Sequence, residues 1–169
     1  MKYVPKAERA AWHAKAVDAA KGSDLHSLIE LLLETKELER LAELVRRSRN
    51  EALENVSHYA TERAAKKLEK THPDVAARLW CAQGMRIVNA KKSKYYGAAL
   101  RYFEHAKHCY QQADQPAQWQ QVIDEVYAQH SRKTSFLPGF DDVVTGTDSA
   151  LQPSFLDRAK TRWSPSGNR

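Results

Sequence analysis

From Ser23 to Gln83 the chain has no glycine and a single proline, Pro73, and its apolar residues recur at helical intervals. This pattern predicts nearly continuous helix, punctuated by short breaks. An N-terminal segment over about 5–20 ends at Lys21-Gly22, where glycine can take the left-handed conformation that stops a helix. Ser23 or Asp24 can cap the next helix, whose stripe of Leu25, Leu28, Ile29, Leu32 and Leu33 buries one side. Leu38, Leu41, Ala42 and Val45 repeat the stripe. A capping box, Ser48 with Glu51, is then expected to open a helix lined by Leu53, Val56, Ala60, Ala64 and Leu68.

Thr71-His72-Pro73-Asp74 combines a cap, a first-turn proline and an acid at the positive end of the helix dipole. The helix it starts presents Ala76, Leu79, Trp80, Gln83 and Ile87 on one face, with Gly84 beside them. A glycine inside a helix costs stability, so a second backbone is expected to approach there. Asn89 to Lys94 reads as a lysine-rich loop, and Tyr96, Ala99, Leu100, Phe103, Ala106 and Tyr110 form the following stripe. Gln115-Pro116 breaks the chain before a helix over about 117–133, with Trp119, Val122, Ile123, Val126 and Tyr127 facing its neighbour. Phe136, Leu137 and Phe140 are expected to fold back onto that helix as a cap. The expected organisation is a helical domain over residues 1–144 and a flexible tail over 145–169, with a short helix over 153–163 that mixes Phe155, Leu156 and Trp163 with Arg158, Lys160 and Arg162.

Composition narrows the function classes. No stretch approaches the roughly 20 apolar residues of a membrane span, and residues 1–17 carry charges where a signal peptide has an apolar centre. Two cysteines, Cys81 and Cys109, exclude a disulfide framework or a four-cysteine zinc site within this chain, and a cytoplasmic protein is expected. The net charge of +6 is concentrated mid-chain. Between Arg86 and Lys107 lie Arg86, Lys91, Lys92, Lys94, Arg101 and Lys107, with Glu104 as the sole acid. Such a field attracts phosphates or acidic protein surfaces, although a short basic cluster more often serves as a solvated face.

His105, His108 and Cys109 share one helix at spacings that can bring ligands to one metal, with Cys81 on the preceding helix. The helical wheel set by Phe103 turns both histidines to solvent and leaves Cys109 at the core border, so no metal or other cofactor is expected. His58, His72 and His130 sit in helical or capping contexts, and no hydrolase elbow, zinc-protease helix, phosphate loop or dinucleotide fingerprint occurs; the chain is read as non-enzymatic.

Trp80-x-x-Gln83-Gly84-x-x-Ile87 followed by Ala99-x-x-x-Phe103-x-x-Ala106 resembles the tetratricopeptide pattern, with Gln83 where leucine is usual and Ile87 where tyrosine is. The fold class expected is therefore all-α, a right-handed tetratricopeptide-like stack of six or seven helices in antiparallel hairpins. More narrowly, Leu68-Glu69-Lys70-Thr71-His72-Pro73, the lysine loop with Tyr95-Tyr96, Ala99-Leu100, Tyr110, Trp119, His130-Ser131-Arg132-Lys133 and Phe136 are similar to the C-terminal helical region of bacterial SWIM zinc-finger proteins, over roughly residues 25–140. That family's CxCx(n)CxH zinc motif is absent here, so the resemblance implies only the helical part and an association with proteins or nucleic acid.

Two functions follow as expectations. The first is a non-catalytic protein-interaction module or adaptor, with a protein partner such as a zinc-finger protein. Its polar contact face is Lys91, Lys92, Lys94, Arg101, His105 and His108, supported by Trp80 and Phe103. The alternative is a nucleic-acid-binding module in which the basic strip around residues 86–108 contacts phosphates and Tyr95 or Tyr96 stacks on a base.

Overall fold

A computed structural model describes residues 24–146. Those residues form eight α-helices and no strand: α1 Leu25–Glu34, α2 Leu38–Arg47, α3 Asn50–Glu54, α4 His58–Leu68, α5 Pro73–Asn89, α6 Tyr96–Gln112, α7 Pro116–His130 and α8 Leu137–Thr145, with a 3-10 turn at Ser93–Tyr95 before α6. The expected helix over 5–20 and residues 147–169 of the expected tail lie outside the described residues.

Each apolar stripe finds the interior. Ile29 and Leu32 of α1, Leu41, Ala42 and Val45 of α2, and Leu53, Val56, Ala60, Ala64 and Leu68 are all buried. The last five do not share one helix, however. Ser48 is the C-cap residue of α2 and its hydroxyl donates back to the Leu44 carbonyl at 2.8 Å, so it makes no capping box with Glu51. Arg49 holds the N-cap position of α3, and that short helix ends at Glu54. Asn55 donates its amide to the Glu51 carbonyl at 2.9 Å, a local bond that competes with continued helix.

The interruptions are stabilised from α5. Arg78 Nη1 donates to the Val45 and Arg46 carbonyls at 2.7 and 3.1 Å, and its Nη2 donates to the Ser48 carbonyl at 2.7 Å and to Asn50 Oδ1 at 2.8 Å. Arg86, two turns on, donates to the Val56 carbonyl at 2.9 Å. Helix C-termini leave carbonyls without intrahelical partners, and a cation there also meets the negative end of the dipole. The same device recurs twice: Lys107 Nζ donates to the Val143 and Val144 carbonyls of α8 at 2.8 and 3.1 Å, and Lys133 donates to the Val88 carbonyl of α5.

α5 is the central element, with Val75, Ala76, Ala77, Leu79, Trp80, Ala82, Gln83, Gly84, Met85 and Val88 all buried. It joins two apolar clusters. One gathers α1 to α4 around Leu41, Leu68, Leu79 and Trp80. The other holds Met85, Val88, Phe103, Ile123, Val126, Phe136, Phe140 and Val143. At Gly84 α6 comes close against α5, and the neighbour is a side chain: a Cβ there would sit 2.7 Å from Cε2 of Phe103. Phe136 and Phe140 do fold back, Phe136 onto Tyr96 and Phe103, Phe140 onto Phe103, Trp119 and Tyr127. They belong to a helix of their own, because Pro138 and Gly139 sit in its first turn, where a missing amide is no loss.

Candidate functional site

The six predicted contact residues divide into two groups. Lys91, Lys92 and Lys94 are exposed at the turn between α5 and α6, and Arg101 is exposed two turns into α6. None of the four has an acidic partner among the described residues. This sets them apart from Arg40, Arg46, Arg47, Arg63 and Lys66, which pair with Glu37, Asp74, Glu43, Glu34 and Glu62. His105 and His108 are exposed but engaged. The His105 ring lies 4.8 Å from that of Trp80, with Nδ1 3.8 Å from Glu69, and His108 Nε2 meets the Gln112 amide at 3.1 Å. The basic field is also narrower than its sequence, since Arg86 and Lys107 at its two ends are bound to carbonyls inside the fold.

Only one of the two tyrosines at this turn is available for stacking. Tyr96 is buried against Phe136, whereas Tyr95 is 46% exposed with Lys94 Nζ 4.8 Å from its ring centroid. A second exposed ring escaped the sequence reading. Tyr59, 71% exposed, begins α4 and its ring lies 3.8 Å from that of His58. α4 and α6 flank α5 side by side in the same direction, with Glu69 beside His105, and Glu62 and Lys66 close enough for their charges to act on Tyr102. Tyr59 stands one turn before Glu62 and Tyr95 two turns before Tyr102, so both lie on the N-terminal side of this contact. No local signal marks this pairing, because it depends on both helices docking on α5.

The opposite side of α5 carries a cleft that the sequence reading also missed. Arg78, Cys81, Ala82 and Met85 form its floor, Asn50 and Glu54 one wall, and Gln118, Gln121, Val122 and Glu125 of α7 the other, with Tyr110 at one end. Burial raises the Glu54 carboxyl above its ordinary value; the Asn89 amide, donating at 2.9 Å, opposes this, and the charges of Glu125 and Glu51 add to the rise. Glu125 in turn accepts from Gln129 at 3.0 Å. The Cys81 thiol is pushed far up by burial and then by Glu125, and burial and then Glu69 push Cys109 up to about 11. Both thiols stay protonated at neutral pH, the state of a structural rather than a nucleophilic cysteine.

Among the described residues no three His, Cys, Asp or Glu side chains are grouped to hold a metal ion. The remaining histidines are dispersed: His72 lies between Thr71 and Glu39, each at 3.0 Å, while His130 is buried with no protein partner on either ring nitrogen. No helix among these residues is long and apolar enough to cross a membrane.

Compared with known proteins, residues 2–138 match a protein family described as a family of unknown function, DUF6880. No curated protein and no solved structure matches the chain.

Proposed function

We propose that this chain, which belongs to the DUF6880 family, is a non-catalytic cytoplasmic helical-repeat module that binds a protein partner through the cleft between α3, α5 and α7. In this reading α3–α4, α5–α6 and α7–α8 are successive hairpins stacked in the right-handed tetratricopeptide manner, and the first helix of each lines the concave side. The observation that supports it most is the composition of the cleft. An apolar floor of Ala82 and Met85 lies between walls of amides and carboxylates, the mixture that holds an extended segment by its backbone and selects its side chains. The likeness to the helical region of SWIM zinc-finger proteins makes a zinc-finger protein the first partner to try.

A photo-cross-linking residue in place of Gln121, on the cleft wall, tests the reading in the native cell, with one at the exposed Lys70 as control. A discrete adduct is expected from position 121, lost when Glu125→Arg is added and absent from position 70. Equal adducts from both positions, or none from 121, would overturn it.

A further inference from the structure

On the other side of α5 the observations carry a different kind of ligand. We infer that the end of the molecule where α4 and α6 begin binds single-stranded nucleic acid, with Lys91, Lys92, Lys94 and Arg101 on phosphates and Tyr59 and Tyr95 stacked on bases.

Three independent features converge there. The first is uncommitted charge. The neighbouring basic residues are used elsewhere, Arg86 and Lys133 on helix-end carbonyls and Arg63 and Lys66 on glutamates, while these four have no acid against them among the described residues. The second is exposed aromatic surface. Of the three large apolar side chains exposed among the described residues, Tyr59 and Tyr95 both lie on the N-terminal side of the contact between α4 and α6, and both rings carry a neighbour that steadies them: His58 at 3.8 Å and Lys94 at 4.8 Å. The third is the support. The turn that presents the lysines is held by Lys133 on Val88 and by Tyr96 packed on Phe136, so the charges project from a fixed frame.

Unpaired cations beside exposed rings match the chemistry of single strands, whose backbone supplies phosphates and whose unpaired bases supply faces. A duplex hides those faces and an acidic protein surface lacks them. This inference does not rest on the cleft: the surface is different, and either reading can fail while the other stands.

The test is fluorescence anisotropy of the full chain with labelled rU12, dT12, a 12-bp DNA duplex and a 12-residue polyglutamate, from 25 to 200 mM salt. The single strands are expected to bind, weakening as salt rises with a log–log slope of about −0.7 for each phosphate contacted. Lys91→Glu/Lys92→Glu/Lys94→Glu should weaken binding at least about tenfold and flatten that slope. Tyr59→Ala/Tyr95→Ala should also weaken it about tenfold or more while leaving the slope unchanged, the signature of lost stacking without lost charge. Circular dichroism melts confirm that both variants are folded, and Arg101→Glu gives a second reading of the charge contribution. No single-strand binding at 25 mM salt, or duplex or polyglutamate binding as tight as the single strands, would overturn the inference, as would wild-type affinity in the tyrosine variant.

Discussion

Lys36, Lys91 and Asp114 have positive φ, at 59°, 56° and 54°, and each stands just past the C-cap of a helix, α1, α5 and α6 in turn. Around Lys36 and Asp114 the bonds are the same: the next residue's amide returns to the carbonyl of Leu32 or Tyr110, each at 3.0 Å. Glycine adopts that conformation without the steric cost other residues bear, so Asp114→Gly should stabilise the fold by roughly 1 kcal/mol, read from the urea midpoint. His130 gives a second residue-scale prediction. Burial, and then the charge of Lys133, lower its pKa from 6.5, so the unfolded chain takes up a proton before the folded one does. Its contribution is therefore fully present above about pH 6.5 and is lost as pH falls from there toward the depressed folded value. His130→Leu should flatten stability against pH below 6.5 in urea unfolding at a series of pH values, at little cost near neutrality because the ring nitrogens have no protein partner to lose.

Between elements, Gly84 packs closely against Phe103. Gly84→Ala should cost about 1–3 kcal/mol through overpacking, despite alanine's better helix propensity, and Phe103→Leu should suppress that penalty in a double-mutant cycle. The glycine was legible in the sequence as a close contact, and its partner was not, because the contact joins residues on different helices. The same divide runs through the other elements. The stripes of apolar residues predicted most of the buried faces, since periodicity sets which side is apolar, but Tyr127, expected to face its neighbour, is exposed, and Leu25, Leu28, Leu33, Leu38 and Ile87 are only half-buried. The break of the 48–68 stretch into α3 and α4 was hidden, because Ser48 bonds backward to Leu44 and the bonds that satisfy the exposed carbonyls come from Arg78 and Arg86, about 30 residues along the chain. The cleft and the placement of Tyr59 beside α6 were hidden for the same reason: both depend on helices lying side by side.

Among the described residues, basic side chains do separate jobs that composition adds together: some pair with acids, as Arg46 does with Asp74 and Arg63 with Glu34, and others do not. Arg78, Arg86, Lys107 and Lys133 close helix ends from neighbouring segments, while Lys91, Lys92, Lys94 and Arg101 hold no acid among the described residues. A surface set that the fold does not need is free to serve a ligand, and this division underlies the inference that a phosphate backbone binds at that end. Equilibrium urea unfolding of the wild type, Arg78→Ala/Arg86→Ala and Lys91→Glu/Lys92→Glu/Lys94→Glu tests the division most directly. The arginine pair should lose roughly 3 kcal/mol or more, as charged hydrogen bonds to helix-end carbonyls disappear, and the lysine variant should stay within about 0.5 kcal/mol of wild type. Equal losses in the two variants would contradict the account.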